Sequence, residues 1–109
     1  MRPGRMPGGF NINKMMKQAQ KLQADMEKKQ AELAAKEYTA TAGGGAVTAI
    51  VCDSKVKTLT ISPDAIDPDD AELLADMITA AVNEALTMCK DEATREMSKL
   101  TGGVGGGLL

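Results

Sequence analysis

Apolar residues in the first third of the chain recur every three or four positions. Between Asn11 and about Lys36 they fall at Ile12, Met15, Ala19, Leu22, Met26 and Leu33, a spacing that predicts a helix. At 100° per residue they form one narrow stripe, closer to a coiled-coil seam than to a broad core-facing surface. Asn11 or Asn13 is suited to cap its start. Lys29 and Lys36 stand where the seam should continue, so it weakens toward the C-terminal end.

The period then changes. EYTATA (37–42) alternates weakly and carries Thr and Tyr. AVTAIVC (46–52) is nearly apolar throughout, which suits a strand covered on both faces. VKTLTIS (56–62) alternates, with Leu59 and Ile61 on one face and Thr58, Thr60 and Ser62 on the other. GGG (43–45) reads as a turn or bulge and DSK (53–55) as a tight turn. Connections this short predict an antiparallel three-stranded meander.

PDAIDPDD (63–70) leads into a second long helix, with Asp67 as N-cap, Pro68 in the first turn and Asp69, Asp70 and Glu72 at the positive end. Its broad apolar face includes Leu74, Met77, Ile78, Ala81, Ala85, Cys89, Met97 and Leu100, and Gly102 and Gly103 stop it. The order is α-β-β-β-α, an α+β domain spanning residues 10–101. A Gly/Pro/Arg extension at 1–9 and a glycine-rich tail at 102–109 are expected to be flexible.

Composition narrows the chemistry. A chain of 109 residues makes one small domain, and many such domains enlarge their core by pairing with a second copy. There is no histidine, the commonest general base and metal ligand. Cys52 and Cys89 are far apart and form no CxxC pattern; they are expected as small buried hydrophobes in a reduced compartment, with a disulfide or a reactive thiol as the alternative. No apolar run reaches the ~18 residues of a membrane span, and no apolar stretch follows the N-terminal arginines as in a signal peptide. A cytoplasmic protein is the expectation.

The glycine runs match no phosphate-binding loop. Asp67, Asp69 and Asp70 lack the loop glycine and terminal glutamate of a calcium site and fit a helix cap better. No enzyme activity, cofactor, metal or small-molecule substrate is expected.

Charge is segregated. Residues 1–36 carry eight basic and three acidic side chains, a net of +5; residues 37–109 carry five and twelve, a net of −7. Lys14, Lys17, Lys21 and Lys28 lie within ~60° of one another on the first helix, roughly 135° from the apolar seam. Gln18 lies beside them. A row of ammonium groups along a rod fits a polyanion, while lysine on an outer helix face is also ordinary solvation, or a match for an acidic protein or membrane surface. The only aromatic residues, Phe10 and Tyr38, are too few for a stacking platform. Backbone contact to a duplex remains, with little base readout.

Together, NKMMKQAQKLQADM, AGGGAVTAIV, ISPDAID and DAELLADMITAAVNEALTMCKDEATREMSKLTGG, covering about residues 10–107, resemble the YbaB/EbfC family of bacterial nucleoid-associated proteins. The turn at Asp53-Ser54-Lys55, where family members often have a glycine, and the extension at 1–9 depart from it. The resemblance implies a homodimer with helices projecting like the arms of tweezers. It also implies double-stranded DNA binding of weak sequence preference, and a role in nucleoid organisation and gene regulation. Lys14, Lys17, Lys21 and Lys28 match the family's basic first helix. By the resemblance alone, Arg95 and Lys99 join them as DNA contacts, although Glu92 and Glu96 dilute the charge there. Val47, Ala49, Ile50, Val51, Leu59 and Ile61 are the expected dimer interface. The competing expectation is a small adaptor whose helices bind a protein partner, with the lysines merely solvated.

Overall fold

The computed structural model describes residues 11–102. The extension expected at 1–9 and the tail from residue 103 lie outside the described residues. The chain forms α1 (Ile12–Ala35), β1 (Glu37–Ala42), β2 (Val47–Cys52) and β3 (Lys55–Ile61). Short 3-10 turns at Pro63–Ala65 and Pro68–Asp70 then lead into α2 (Ala71–Leu100).

Asn11 is the cap of α1: its side-chain oxygen accepts from the Lys14 N–H at 3.1 Å, satisfying one of the helix's free donors. Lys36 adopts an extended conformation and delivers the chain directly into β1.

The sheet is an antiparallel meander in the order β1-β2-β3. Gly43, Gly44 and Gly45 all have positive φ in the β1–β2 turn. At Gly43 a Cβ would also stand 2.2 Å from Met77 Sδ. The β2–β3 turn puts Asp53 and Ser54 at φ 54° and 62°. Its two central residues thus have the handedness that a two-residue hairpin requires, without glycine at either. A bulge at Ile50/Val51 shifts the β2–β3 register, so Ile50 faces Thr58 and Val51 faces Val56.

One face of the sheet packs on α2. The core is Tyr38 and Ala40 of β1, Val47, Ala49 and Val51 of β2, and Ala81, Ala85 and Cys89 of α2. Its alanines let helix and sheet approach closely. The expectation that β2 is covered on both faces is corrected: Val47, Ala49 and Val51 have no exposed surface, while Thr48, Ile50 and Cys52 on the opposite face are only half-buried. A second helix on that face would be needed to cover it, and α1 runs elsewhere. Because α2 lies over β1 and β2, it leaves β3 largely open, with Val56 and Leu59 exposed.

The start of α2 is also corrected. Asp67 caps the 3-10 turn, accepting from the Asp69 N–H at 2.9 Å. Asp70 caps α2 itself, accepting from the Leu73 N–H at 3.2 Å. A tight turn before the helix moves the capping role three residues along. At the other end Gly102, at φ 64°, donates to the Lys99 carbonyl and closes the helix.

Candidate nucleic-acid interface

The two helices meet only at their C-terminal halves. Lys36 reaches Glu92 and Lys29 reaches Glu96, and Asp25 and Lys28 border the same depression as Leu100. Running antiparallel, α1 therefore overshoots the end of α2. Every residue from 11 to 24 is exposed, and α1 buries none of its side chains fully. At 1.5 Å per residue the free segment is a rod of about 20 Å. A helix this short is marginal in isolation. It persists here as the continuation of a segment anchored on α2.

The free rod carries Lys14, Lys17, Gln18 and Lys21, and Lys28 stands exposed where the rod joins α2. None of these four lysines is ion-paired among the described residues. The row from Lys14 to Lys28 spans about 21 Å. Ammonium groups that are both exposed and uncommitted can meet phosphates without giving up a protein partner.

The rod's other side is apolar. Ile12, Met15 and Met16 are more than half exposed, and Leu22 is 39 % exposed. Ala19, Leu22, Gln23 and Met26 line a shallow open groove along it. The rod thus combines a cationic row with an unpartnered seam.

At its base the charges pair. Lys29 lies 3.3 Å from Glu32 and 3.2 Å from Glu96, and its pKa is raised by the hydrogen bonds to Glu96 and then Glu32. Glu92 binds the Lys36 ammonium and accepts from the Tyr38 hydroxyl at 3.2 Å. The same two partners, Lys36 first, hold its carboxyl below the usual range. The Lys36 ammonium also sits 5.6 Å from the Tyr38 ring centre. Burial, then the neighbouring Glu92, pushes the Tyr38 phenol up to about 12. Glu96 is shared between Lys99, at 3.0 Å, and Lys29, and both lower its pKa.

This pairing explains the interruption of the seam. Lys29 and Lys36 occupy seam positions because the seam there faces α2, whose opposing positions are Glu96 and Glu92. Sequence reasoning treated those glutamates only as diluting the charge. The available signal was two lysines replacing apolar residues on one helix and two glutamates one turn apart on the other.

The structure does not bring Arg95 and Lys99 onto the free rod. Both are exposed on the last turns of α2, Lys99 tied to Glu96. Of the residues expected at a dimer interface, Val47, Ala49 and Val51 are already internal to the single chain. Ile50, Leu59 and Ile61 keep exposed surface, and cross-strand pairing puts Ile50 on the face opposite Leu59. Both cysteines are free: Cys89 is buried, and Cys52 is half-buried with its thiol 3.1 Å from the Ala34 carbonyl. Among the described residues no acidic or thiol cluster could hold a metal, and no helix is long and apolar enough to cross a membrane.

The fold defines a small α+β protein with a row of exposed lysines, unpaired among the described residues, along one projecting helix. The chain belongs to the YbaB/EbfC DNA-binding family, whose sequence profile matches residues 7–104. That is a DNA-binding family and not an enzyme family. A protein of Acetivibrio thermocellus named nucleoid-associated protein is 54 % identical over 108 residues, covering 97 % of this chain and 96 % of its own. A namesake from Clostridium novyi is 53 % identical over 103 residues, covering 94 % and 90 %. One from Ruminiclostridium cellulolyticum is 49 % identical over 110 residues, covering 97 % and 96 %.

Proposed function

We propose that this protein binds duplex DNA as a homodimer, with the free half of α1 as the contact arm of each subunit, and that it acts in the bacterial nucleoid on DNA organisation and gene expression. The observation that carries this reading is the row Lys14, Lys17, Lys21 and Lys28, exposed and, among the described residues, unpaired on a rod that projects from the domain. Gln18 stands beside it as a hydrogen-bond donor to phosphate or sugar. Arg95 and Lys99 add a secondary contact where the arm meets α2. The relatives' names support the nucleoid setting.

A lysine row without arginine or aromatic neighbours reads charge and spacing, so sequence preference is weak. Two arms held in fixed relation convert two weak contacts into one stronger attachment. The acidic remainder of the chain repels DNA and confines contact to the arms and the end of α2 beside them. Surface for a second copy comes from the apolar seam of α1, from Leu59 and Ile61 on the half of the sheet that α2 leaves open, and from Ile50 on the opposite face.

The exposed seam equally suits a helix of a different protein, the adaptor reading. Duplex titration separates the two. Wild type and a Lys14, Lys17, Lys21 triple alanine variant are compared by fluorescence anisotropy, with sedimentation confirming that both stay dimeric. Loss of binding in the variant is the expected result. Equal binding by the two, or none by wild type, moves the lysines to solvation and leaves the seam to a protein partner.

A further inference from the structure

The weak point of a contact arm is its attachment. Met26 and Leu33 are half-buried, and α1 has no fully buried side chain. Within one chain, apolar packing therefore holds the arm's base only partly, beside the hydrogen bond from the Cys52 thiol to the Ala34 carbonyl. What bridges α1 to α2 among the described residues is charge: Lys29 to Glu96, and Lys36 to Glu92.

We infer that Glu92 and Glu96 are positioning residues for DNA binding: they tie the base of α1 to α2 and so set the direction in which the lysine row is presented. The inference rests on the DNA-binding reading of that row.

Three features set these pairs apart from ordinary surface ion pairs, which contribute little on their own. The Lys29–Glu96 pair is 29 % and 22 % exposed, so solvent screens it less than a free surface pair, and Glu92 is 21 % exposed although its partner Lys36 is 52 % exposed. The pairs form a network, because Glu92 also holds the Tyr38 hydroxyl and Glu96 also holds Lys99. Tyr38 belongs to the buried core, so through Glu92 the arm's base is tied to the core of the domain. The pairs also stand seven residues apart at the base of the arm, Lys29 on α1 and Lys36 at its C-cap, and four apart on α2. Two points of attachment fix a direction where one allows a pivot.

The role makes a prediction opposite in sign to simple electrostatics. Replacing both acids with glutamine raises the formal net charge of the chain from −2 to 0. If the acids only repel DNA, the variant binds more tightly. If they aim the arm, it binds more weakly, by about tenfold, because two loosely held arms lose the effective concentration that a fixed geometry confers.

The experiment compares wild type, E92Q/E96Q, K36E and K36E/E92K. Amide hydrogen exchange without DNA reports arm attachment, and anisotropy titration with a duplex reports binding. The β2 amides serve as the control for an intact core. In the expected result, exchange in α1 from residue 25 to 35 accelerates in E92Q/E96Q and K36E, with β2 unchanged. Duplex affinity falls in both, and K36E/E92K, which restores an opposite pair without changing the net charge from wild type, recovers it. Unchanged α1 exchange overturns the attachment role. Faster exchange with equal or tighter DNA binding overturns the positioning role. If wild type fails to bind duplex, the DNA reading falls, and the exchange arm still decides whether the acids tether α1.

Discussion

Removal of Lys14, Lys17 and Lys21 tests the arm numerically. All three lie on the free rod, exposed and unpaired among the described residues, so alanine there removes charge without opening a cavity or stranding a described partner. Alanine is also the best helix former, so the rod should keep its shape. With four lysines per arm and two arms, the lysine rows of the proposed dimer neutralise about eight phosphates, and at roughly −0.9 per phosphate their share of the log–log salt slope is about −7. Raising salt from 50 to 200 mM should then weaken binding by about four orders of magnitude. The variant keeps only Lys28 in each row, so the rows' share falls to a slope of about −2 and a loss of about one order over the same range. Engagement of a single arm halves both slopes and preserves their ratio. Anisotropy titrations at four or five salt concentrations measure them, with circular dichroism and sedimentation checking fold and assembly. A variant with the wild-type slope would refute the assignment, because the phosphates would then be neutralised elsewhere.

Three further outcomes follow from the fold. Gly43→Ala forces an L-residue to φ 65° and drives a Cβ against Met77 Sδ, whereas Gly44→Ala meets only the φ penalty in open space. Urea unfolding should show about 2–3 kcal/mol lost for the first and about 1 kcal/mol for the second, and equal losses would show that Met77 does not press on the turn. Leu59→Asp places a charge on the open half of the sheet, and the proposed dimer should sediment as a monomer with the core intact. A dimeric variant would remove β3 from the interface. Glu92 and Glu96 are held below the ordinary glutamate pKa in the folded chain. Their stabilisation is present above the unfolded-state value and is lost as pH falls through the depressed folded values. Protection of residues 25–35, corrected for the intrinsic pH dependence of amide exchange, should therefore fall through that acid window in wild type, and much less so in E92Q/E96Q.

Local signals were enough to determine the elements of this protein. The three-and-four spacing of Ile12, Met15, Ala19, Leu22 and Met26 made α1 legible, and the glycine run and Asp53-Ser54 turn marked where the strands reverse. The lysine row was legible for the same reason: helical geometry fixes the relative angles of residues on one rod, whatever that rod packs against. Element boundaries shifted where two local rules competed, as at Asp67 and Asp70, both competent caps a few residues apart.

Only the tertiary structure decided which surfaces are used up. That Val47, Ala49 and Val51 are spent on α2, that Leu59 is left open, and that α1 overshoots α2 all depend on where the long helix lies across the sheet. No periodicity encodes that placement. The sharpest case is the pair Lys29 and Lys36. In sequence they look like faults in a hydrophobic seam; in the fold they are the seam's continuation by other means, since the surface facing them carries carboxylates instead of apolar groups. An amphipathic pattern states which side of a helix will be covered, but the chemistry that covers it belongs to a segment some sixty residues away and is settled only when the two are packed together.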